Sequence, residues 1–413
     1  MSLPVAVALL ALAFILDVWL TPLPLYKALA LDLWSASDNF LLIAIPLFIL
    51  LGEILVRSGV ARSTYAAVQP LLSRLPGGLI HANIGTCALF SATSGSSVAT
   101  AATVGTVAIP EGERLGYDRR LFAGSIAAGG TLGIMIPPSI DLIIYGFLTK
   151  TSVVALFEAG IIPGLLLALL FSLVTAIICL IKPEMGGKRH NEKFSTSLKA
   201  LLKAWPILLL FFIIVGAIYS GIATPTEAAA FGVMGALALA LQARRLTLKV
   251  LIESLNSTVT KTSVIIFIII AAYYLNYVLS SVGVSDEIQQ LVASSGASQF
   301  EVLVFIMVIY LILGCFIETL SLMVLTLPIL IPIIREVGID PVWFGIFVIL
   351  LIEMALITPP VGLNLYIVHS VRERGSIKDV MYGAIPFVLV MIVFAFLLIA
   401  FPGLATWLPS VLN

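Results

Sequence analysis

Of 413 residues, 61% are apolar and only 11% are charged, with a mean hydropathy of +1.16; soluble domains carry about 25% charged residues, so this sequence cannot build a water-exposed surface. Basic and acidic residues balance to a formal net charge of zero, which decides little. Cys87, Cys179 and Cys315, like His81, His190 and His369, are scattered singly, an arrangement that argues against a disulfide framework, a metal centre or histidine-based catalysis.

A helical span needs roughly 20 apolar residues, and such runs recur along the chain. The first, Leu3 to Leu20, has neither a basic flank nor a small-residue cleavage site, so it reads as a span and not a signal peptide. A second span is expected from Asp38 to Val56. Arg57 to Leu75, carrying Arg57, Arg62 and Arg74, suits a helix lying along the membrane interface. Gly78 to Leu115 is apolar but interrupted by Ser91-Ala92-Thr93-Ser94-Gly95-Ser96-Ser97, and Arg119 to Lys150 is interrupted by Gly133-Ile134-Met135-Ile136-Pro137-Pro138-Ser139. Plain spans follow at Val153 to Ile181, Lys199 to Ser220, Thr226 to Gln242 and Ser263 to Val282, with a second amphipathic arm, Arg244 to Lys261, before the last. The interrupted pattern then returns. Phe300 to Val337 breaks at Cys315-Phe316-Ile317-Glu318-Thr319, Val342 to Val371 breaks at Ile357-Thr358-Pro359-Pro360-Val361-Gly362, and Met381 to Phe401 closes the chain.

Basic residues orient these spans, because loops rich in lysine and arginine stay in the cytoplasm. Lys182, Lys188, Arg189, Lys193 and Lys199 mark one such loop, Arg244, Arg245 and Lys249 another, and Arg372, Arg374 and Lys378 a third, whereas Ser285-Asp286-Glu287 is acidic. All agree with an N-terminus inside and a C-terminus outside.

An internal repeat underlies the interruptions. Shifted by 222 positions, Ile109-Pro110 falls on Ile331-Pro332, Gly116 on Gly338, Asp118 on Asp340, Phe122 on Phe344 and Pro137-Pro138 on Pro359-Pro360. If each interrupted segment before the Pro-Pro break is a hairpin, an odd number of spans separates the two copies and they enter from opposite faces. The expected fold is therefore an all-α polytopic membrane protein with inverted-topology repeats, two re-entrant helical hairpins and two Pro-Pro-broken helices. Secondary transporters are built this way, and non-helical backbone within a bilayer is tolerated only where protein or a water-filled cavity satisfies it.

Proline cannot continue the helical ladder and disfavours helix at the residue before it, so carbonyls near Gly133 to Pro138 and Ala355 to Pro360 are released. With the hydroxyls of Ser91, Thr93, Ser94, Ser96 and Ser97 at one tip, and Glu318, Thr319, Ser321 and facing Thr358 at the other, they form hard oxygen ligands for an alkali cation. Half-helix N-termini at the breaks favour an anion. The pairing points to sodium-coupled carboxylate transport. Intramembrane carboxylates are costly and usually functional; Glu318 and Glu353 fit either a structural network or a part in coupling, Asp141 either substrate or solvent, and Glu53 a salt bridge with Arg57. No GxSxG, HExxH or paired aspartates at similar depth point to an enzyme.

Several of these motifs together resemble a known family. Ala44-Ile45-Pro46-Leu47-Phe48-Ile49-Leu50-Leu51-Gly52-Glu53, Ser94-Gly95-Ser96-Ser97-Val98-Ala99-Thr100-Ala101, Ile136-Pro137-Pro138-Ser139, Ala223-Thr224-Pro225-Thr226-Glu227-Ala228-Ala229-Ala230 and Thr358-Pro359-Pro360-Val361-Gly362-Leu363-Asn364 are similar to the DctM-like large membrane subunit of tripartite ATP-independent periplasmic (TRAP) transporters. The resemblance implies a bacterial inner-membrane protein that imports carboxylates such as C4-dicarboxylates or sialic acids with sodium, by an elevator motion. It implies a small membrane subunit of about four helices and a periplasmic substrate-binding protein as partners, no cofactor beyond the coupling sodium, and no nucleic acid. Carried over by position, one sodium site would use Ser91, Ser94, Gly133, Ile136 and Pro138, and a second Gly314, Thr319, Ala355 and Thr358, although Ala355 stands where glycine is usual. Substrate would lie near Ser96, Ser97, Thr319 and Asn364. The chain then divides into scaffold and first arm (1–75), hairpin and broken helix of the first repeat (76–152), connecting helices and second arm (153–297), the second repeat (298–378) and a final span (379–413). The family pattern also leads one to expect a further short apolar helix before Leu3-Pro4-Val5-Ala6. A stand-alone divalent-anion/sodium symporter is the alternative, which the Ala-Thr-Pro-Thr-Glu-Ala-Ala-Ala motif disfavours.

Overall fold

The computed structural model describes residues 5–21, 26, 30, 34, 38–187, 205–372 and 374–412, and among these the chain is all-helical. Helix α1 (Val5–Leu20) precedes α2 (Ala44–Arg57). Gly59, in the left-handed conformation at φ 75°, turns the chain into the amphipathic α3 (Val60–Leu72). The first repeat comprises α4 (Leu79–Ser94), α5 (Ser97–Arg114), α6 (Arg119–Met135) and α7 (Ile140–Thr149). Between the repeats lie α8 (Val153–Ile181), α9 (Trp205–Tyr219), α10 (Pro225–Gln242), α11 (Leu248–Val282) and α12 (Val284–Ser295). The second repeat comprises α13 (Gln299–Leu313), α14 (Thr319–Glu336), α15 (Pro341–Leu356) and α16 (Leu363–Val371). The chain ends with α17 (Ile377–Ala400) and α18 (Gly403–Leu412).

The 222-residue offset read from sequence recurs in the coordinates. It carries both ends of α5 onto both ends of α14 and the start of α6 onto the start of α15. Asp118 and Asp340 each cap the following helix by accepting a hydrogen bond from the backbone N–H two residues on, and Gly116 and Gly338 share a left-handed φ of 73° and 75°. Only glycine takes that conformation without strain. Ser96 and Glu318 occupy the same place too, each capping the helix behind its tip.

The first limbs of the two broken helices form the centre of the molecule: α6 is buried throughout from Leu121 to Met135, and α15 from Trp343 to Leu356. Against α6 runs α17, crossing so closely that a β-carbon on Gly124 would collide with the carbonyl of Gly383, and one on Gly383 with the carbonyl of Arg120. Small residues of this kind let helix backbones approach where lipid supplies no hydrophobic drive. The outer face is the reverse of a soluble protein's. On α8, Leu165, Leu169, Leu173 and Ile177 are exposed at four-residue spacing, an apolar stripe suited to hydrocarbon. Among the described residues five helices are long and apolar enough to cross a membrane, or six if the α6–α7 pair, bent by 43°, is one span.

Three expectations need revision or fall away. The second arm, expected over Arg244 to Lys261, and the span from Ser263 to Val282 form one 35-residue helix, α11; the segment has no glycine or proline, and its charges alone do not end a helix. An amphipathic helix, α12, instead stands where the sequence read as an acidic loop, at nearly the repeat offset from α3. A further helix, α18, follows the expected final span. The basic loop at Lys188, Arg189, Lys193 and Lys199 lies outside the described residues.

Candidate functional site

At the first tip α4 ends on Gly95, again left-handed at φ 59°. A β-carbon here would lie 3.3 Å from the Pro138 carbonyl oxygen, so the tip packs directly on the first Pro-Pro break. Gly133 faces the same tip: a β-carbon on it would be 3.1 Å from Ser97 N and 3.2 Å from Ser91 Oγ. The helical ladder of α6 stops at Ile136, whose backbone is extended. Ser91, Gly133, Ile136 and Pro138 are therefore gathered around tip and break. Ser91 Oγ is buried and has no hydrogen-bond partner among the described residues. Ser94 differs, since its hydroxyl is paired with Thr100 Oγ1 at 2.9 Å.

The second tip meets the second break in a related way. A β-carbon on Gly314 would collide with the Ala355 methyl and sit 2.7 Å from the Tyr310 carbonyl oxygen. Cys315 Sγ lies 3.9 and 3.7 Å from the carbonyl oxygens of Thr358 and Pro359. Thr358 Oγ1 donates to the Met354 carbonyl at 2.6 Å, closing part of the ladder that the prolines open. Glu318 accepts from Ser321 N at 3.2 Å and from Ser321 Oγ at 3.0 Å, which gives it a capping role. Both Pro-Pro peptide bonds, 137–138 and 359–360, are cis.

Several hydrogen bonds join the repeats to each other, Tyr145 Oη to the Pro341 carbonyl at 2.6 Å and Arg335 to the Thr149 carbonyl at 3.3 Å among them; two more lie near the first tip. Ser97 Oγ lies 2.7 and 2.8 Å from the two carboxylate oxygens of fully buried Glu353, to which it donates. Asn364 Nδ2 donates to the Ala127 carbonyl at 3.3 Å, while its Oδ1 is buried without a partner. A buried carboxylate or amide left unbonded is costly, so the first repeat supplies partners that two buried polar groups of the second need.

A cavity of about 440 Å³ opens between the tips. Ser96, Ser97 and Thr319 line it together with Asp141 and Glu318; Asn364 does not, and lies behind Ser97 against Gly130. Asp141 sits in the first turn of α7, with Oδ2 buried and unpartnered. The opposite wall comes from α2 and α11: Gly52, Glu53, Thr260 and Lys261. Glu53 bonds Lys261 Nζ at 2.5 Å and Arg57 Nε at 3.1 Å, and Arg57 continues to Glu253 at 2.9 Å. The expected Glu53–Arg57 pair is thus part of a longer ionic chain. Sequence reasoning missed Lys261 because it ends the stretch read as the second arm and its neighbours Thr260, Thr262 and Ser263 are polar. No group of three metal-ligating His, Cys, Asp or Glu side chains occurs among the described residues.

Two helix breaks flanking one cavity, inside a shell of apolar helices, define a polytopic membrane protein. The chain belongs to the family described as the tripartite ATP-independent periplasmic transporter, DctM component, which matches residues 1–404. It is 37% identical over 391 residues to the C4-dicarboxylate TRAP transporter large permease protein DctM of Pseudomonas aeruginosa, covering 93% of this chain and 90% of that one. To the sialic acid TRAP transporter large permease protein SiaM of Vibrio cholerae it is 32% identical over 382 residues, covering 92% and 89%. Its fold is similar to the solved YdaH transporter of Alcanivorax borkumensis, with a TM-score of 0.66 at 14% identity over 97% of each chain.

Proposed function

We propose that this permease imports an organic acid, a carboxylate such as a C4-dicarboxylate or sialic acid, across the bacterial inner membrane, driven by sodium. The observation that carries the reading is the meeting of two repeat-related tips and two Pro-Pro breaks around one cavity, with Ser91 Oγ buried and unpartnered at the first junction. Released carbonyls and hydroxyls suit a dehydrated alkali cation, and α7 and α16 begin at the breaks with their positive dipole ends. Sodium would take Ser91, Ser94, Gly133, Ile136 and Pro138 at one junction, and Gly314, Thr319, Ala355 and Thr358 at the other. The substrate carboxylate would enter beside Ser96, Ser97 and Thr319, opposite Lys261.

The motion we infer is an elevator. Ser97–Glu353 and Asn364–Ala127 tie the two repeats into one body, whereas α2 and α11 supply another wall of the cavity and slide against that body. The tips act as re-entrant hairpins of opposite orientation, with the N-terminus inside and the C-terminus outside. Substrate comes from a periplasmic binding protein, and a small four-helix membrane subunit completes the complex. No resident cofactor enters the scheme.

Uptake of labelled succinate or sialic acid into proteoliposomes tests the proposal, with and without an imposed sodium gradient, the small subunit and the binding protein. Import should require all three. Uptake by the chain alone would assign it instead as a stand-alone divalent-anion/sodium symporter, and uptake indifferent to sodium would remove the coupling.

A further inference from the structure

We propose that a second cavity, distinct from the one between the tips, is a binding site for the headgroup of an anionic phospholipid. This groove of about 540 Å³ lies where α2, α3, α5 and the turn between α10 and α11 meet. Arg62 and Arg245 line it and are exposed, and neither forms an ion pair among the described residues. No carboxylate lines the groove. The contrast with the neighbouring basic residues is informative: Arg57 is held by Glu53 and Glu253, Lys261 by Glu53, and Lys249 reaches Glu253 at 4.0 Å. Arg57 and Lys261 at this end of α2 are thus paired with carboxylates, whereas Arg62 and Arg245 in the groove are not.

The rest of the wall fits a lipid better than a free anion. Val56, Val60, Ala66 and Val107 give it an aliphatic side, and the hydroxyls of Ser58, Ser63 and Thr106 are turned back onto carbonyls of their own helices. The first turn of α3, begun by left-handed Gly59, lines the groove beside the arginines and adds backbone donors and a positive dipole end. Guanidinium pairs bind phosphate in a bidentate fork. The groove also sits at the end of a membrane-length helix, Phe40–Arg57, so a phosphate held there leaves its acyl chains level with the apolar wall. Basic pockets between helices on the cytoplasmic side are where anionic headgroups collect.

Each arginine near an anionic lipid surface contributes a factor of about five in binding, so losing both should weaken retention about 30-fold. The full-length protein, purified from membranes, would be titrated with phosphatidylglycerol, phosphatidylcholine or inorganic phosphate and read by native mass spectrometry. The expected result is retention of phosphatidylglycerol over phosphatidylcholine, no displacement by millimolar phosphate, an approximately 30-fold loss in R62Q/R245Q, and a smaller loss in R62K/R245K, which keeps the charges but not the guanidinium fork. Equal retention of both lipids, or unchanged phosphatidylglycerol binding in R62Q/R245Q, would overturn the site. Displacement by inorganic phosphate would reassign it to a soluble anion. Loss of the small membrane subunit from R62Q/R245Q, with lipid retention intact, would make the groove a protein interface and likewise overturn the proposal.

Discussion

Replacing Ser91 with alanine should separate ion binding from folding. Its hydroxyl is buried and unpartnered, so the substitution removes no hydrogen bond; deleting an unsatisfied buried polar group is close to neutral for stability or mildly favourable. As a cation ligand the same oxygen matters more. An interaction between a polar group and a charge is worth about 1.5–3 kcal/mol, and at about 1.4 kcal/mol per decade its loss raises the sodium concentration for half-maximal uptake roughly 10- to 100-fold. Sodium titration of uptake in proteoliposomes measures the second effect, and thermal unfolding in detergent without sodium measures the first. Ser94→Ala is the instructive contrast: Ser94 pairs with Thr100 at 2.9 Å, so that variant unpairs a buried hydroxyl and should lose stability even without sodium. If Ser91→Ala titrates with sodium like the wild type, the ligand assignment at the first junction is wrong.

Three further sets of substitutions probe the remaining geometry. Ser97→Ala leaves Glu353 without the hydroxyl at 2.7 Å and should cost about 1–3 kcal/mol; a cycle with Glu353→Gln should be markedly non-additive in melting temperature, and strictly additive shifts would dissociate the two residues. Gly124→Ala drives a methyl into the Gly383 backbone, which cannot swing aside, and should destabilise by about 1–3 kcal/mol or more. Gly216→Ala on α9 meets nothing within 4 Å and should gain up to about 1 kcal/mol from helix propensity, so similar melting shifts for the two glycines would count against the close crossing. Lys261→Ala should raise the substrate concentration for half-maximal uptake about tenfold, as expected for one lost charge-assisted contact, while Lys261→Arg keeps most of the affinity; an unchanged value in Lys261→Ala would place the substrate elsewhere.

The helix breaks were readable because their causes are local. Paired prolines, left-handed glycines and the capping Asp118 and Asp340 act within a few residues, and their recurrence at one offset exposed the repeat. What a single sequence hides is partnership at a distance. Nothing near Glu53 announces Lys261, 208 positions away, nor does anything near Asn364 point to Ala127. The charges of Arg244 to Lys261 suggested a separate arm because amphipathicity was read as a boundary, whereas a helix ends only where its ladder is broken or capped. Ala355 is a subtler case. In the first repeat Gly133 faces the tip; in the second its counterpart is Ala355, whose methyl packs against Gly314. Close approach is kept, with the glycine on the other side.

The continuity of α11 sets a ruler beside the cavity. Thirty-five residues make a rod of about 52 Å, far more than the roughly 30 Å of bilayer hydrocarbon. The stretch from Lys261 to Val282 is by itself about 31 Å long, one hydrocarbon thickness. Seating that stretch in the lipid leaves the lysine at the waterline beside Arg57, with the earlier turns standing clear like a mast. A polar amine-modifying reagent offered on that side should therefore reach Lys261 and block the chamber it borders.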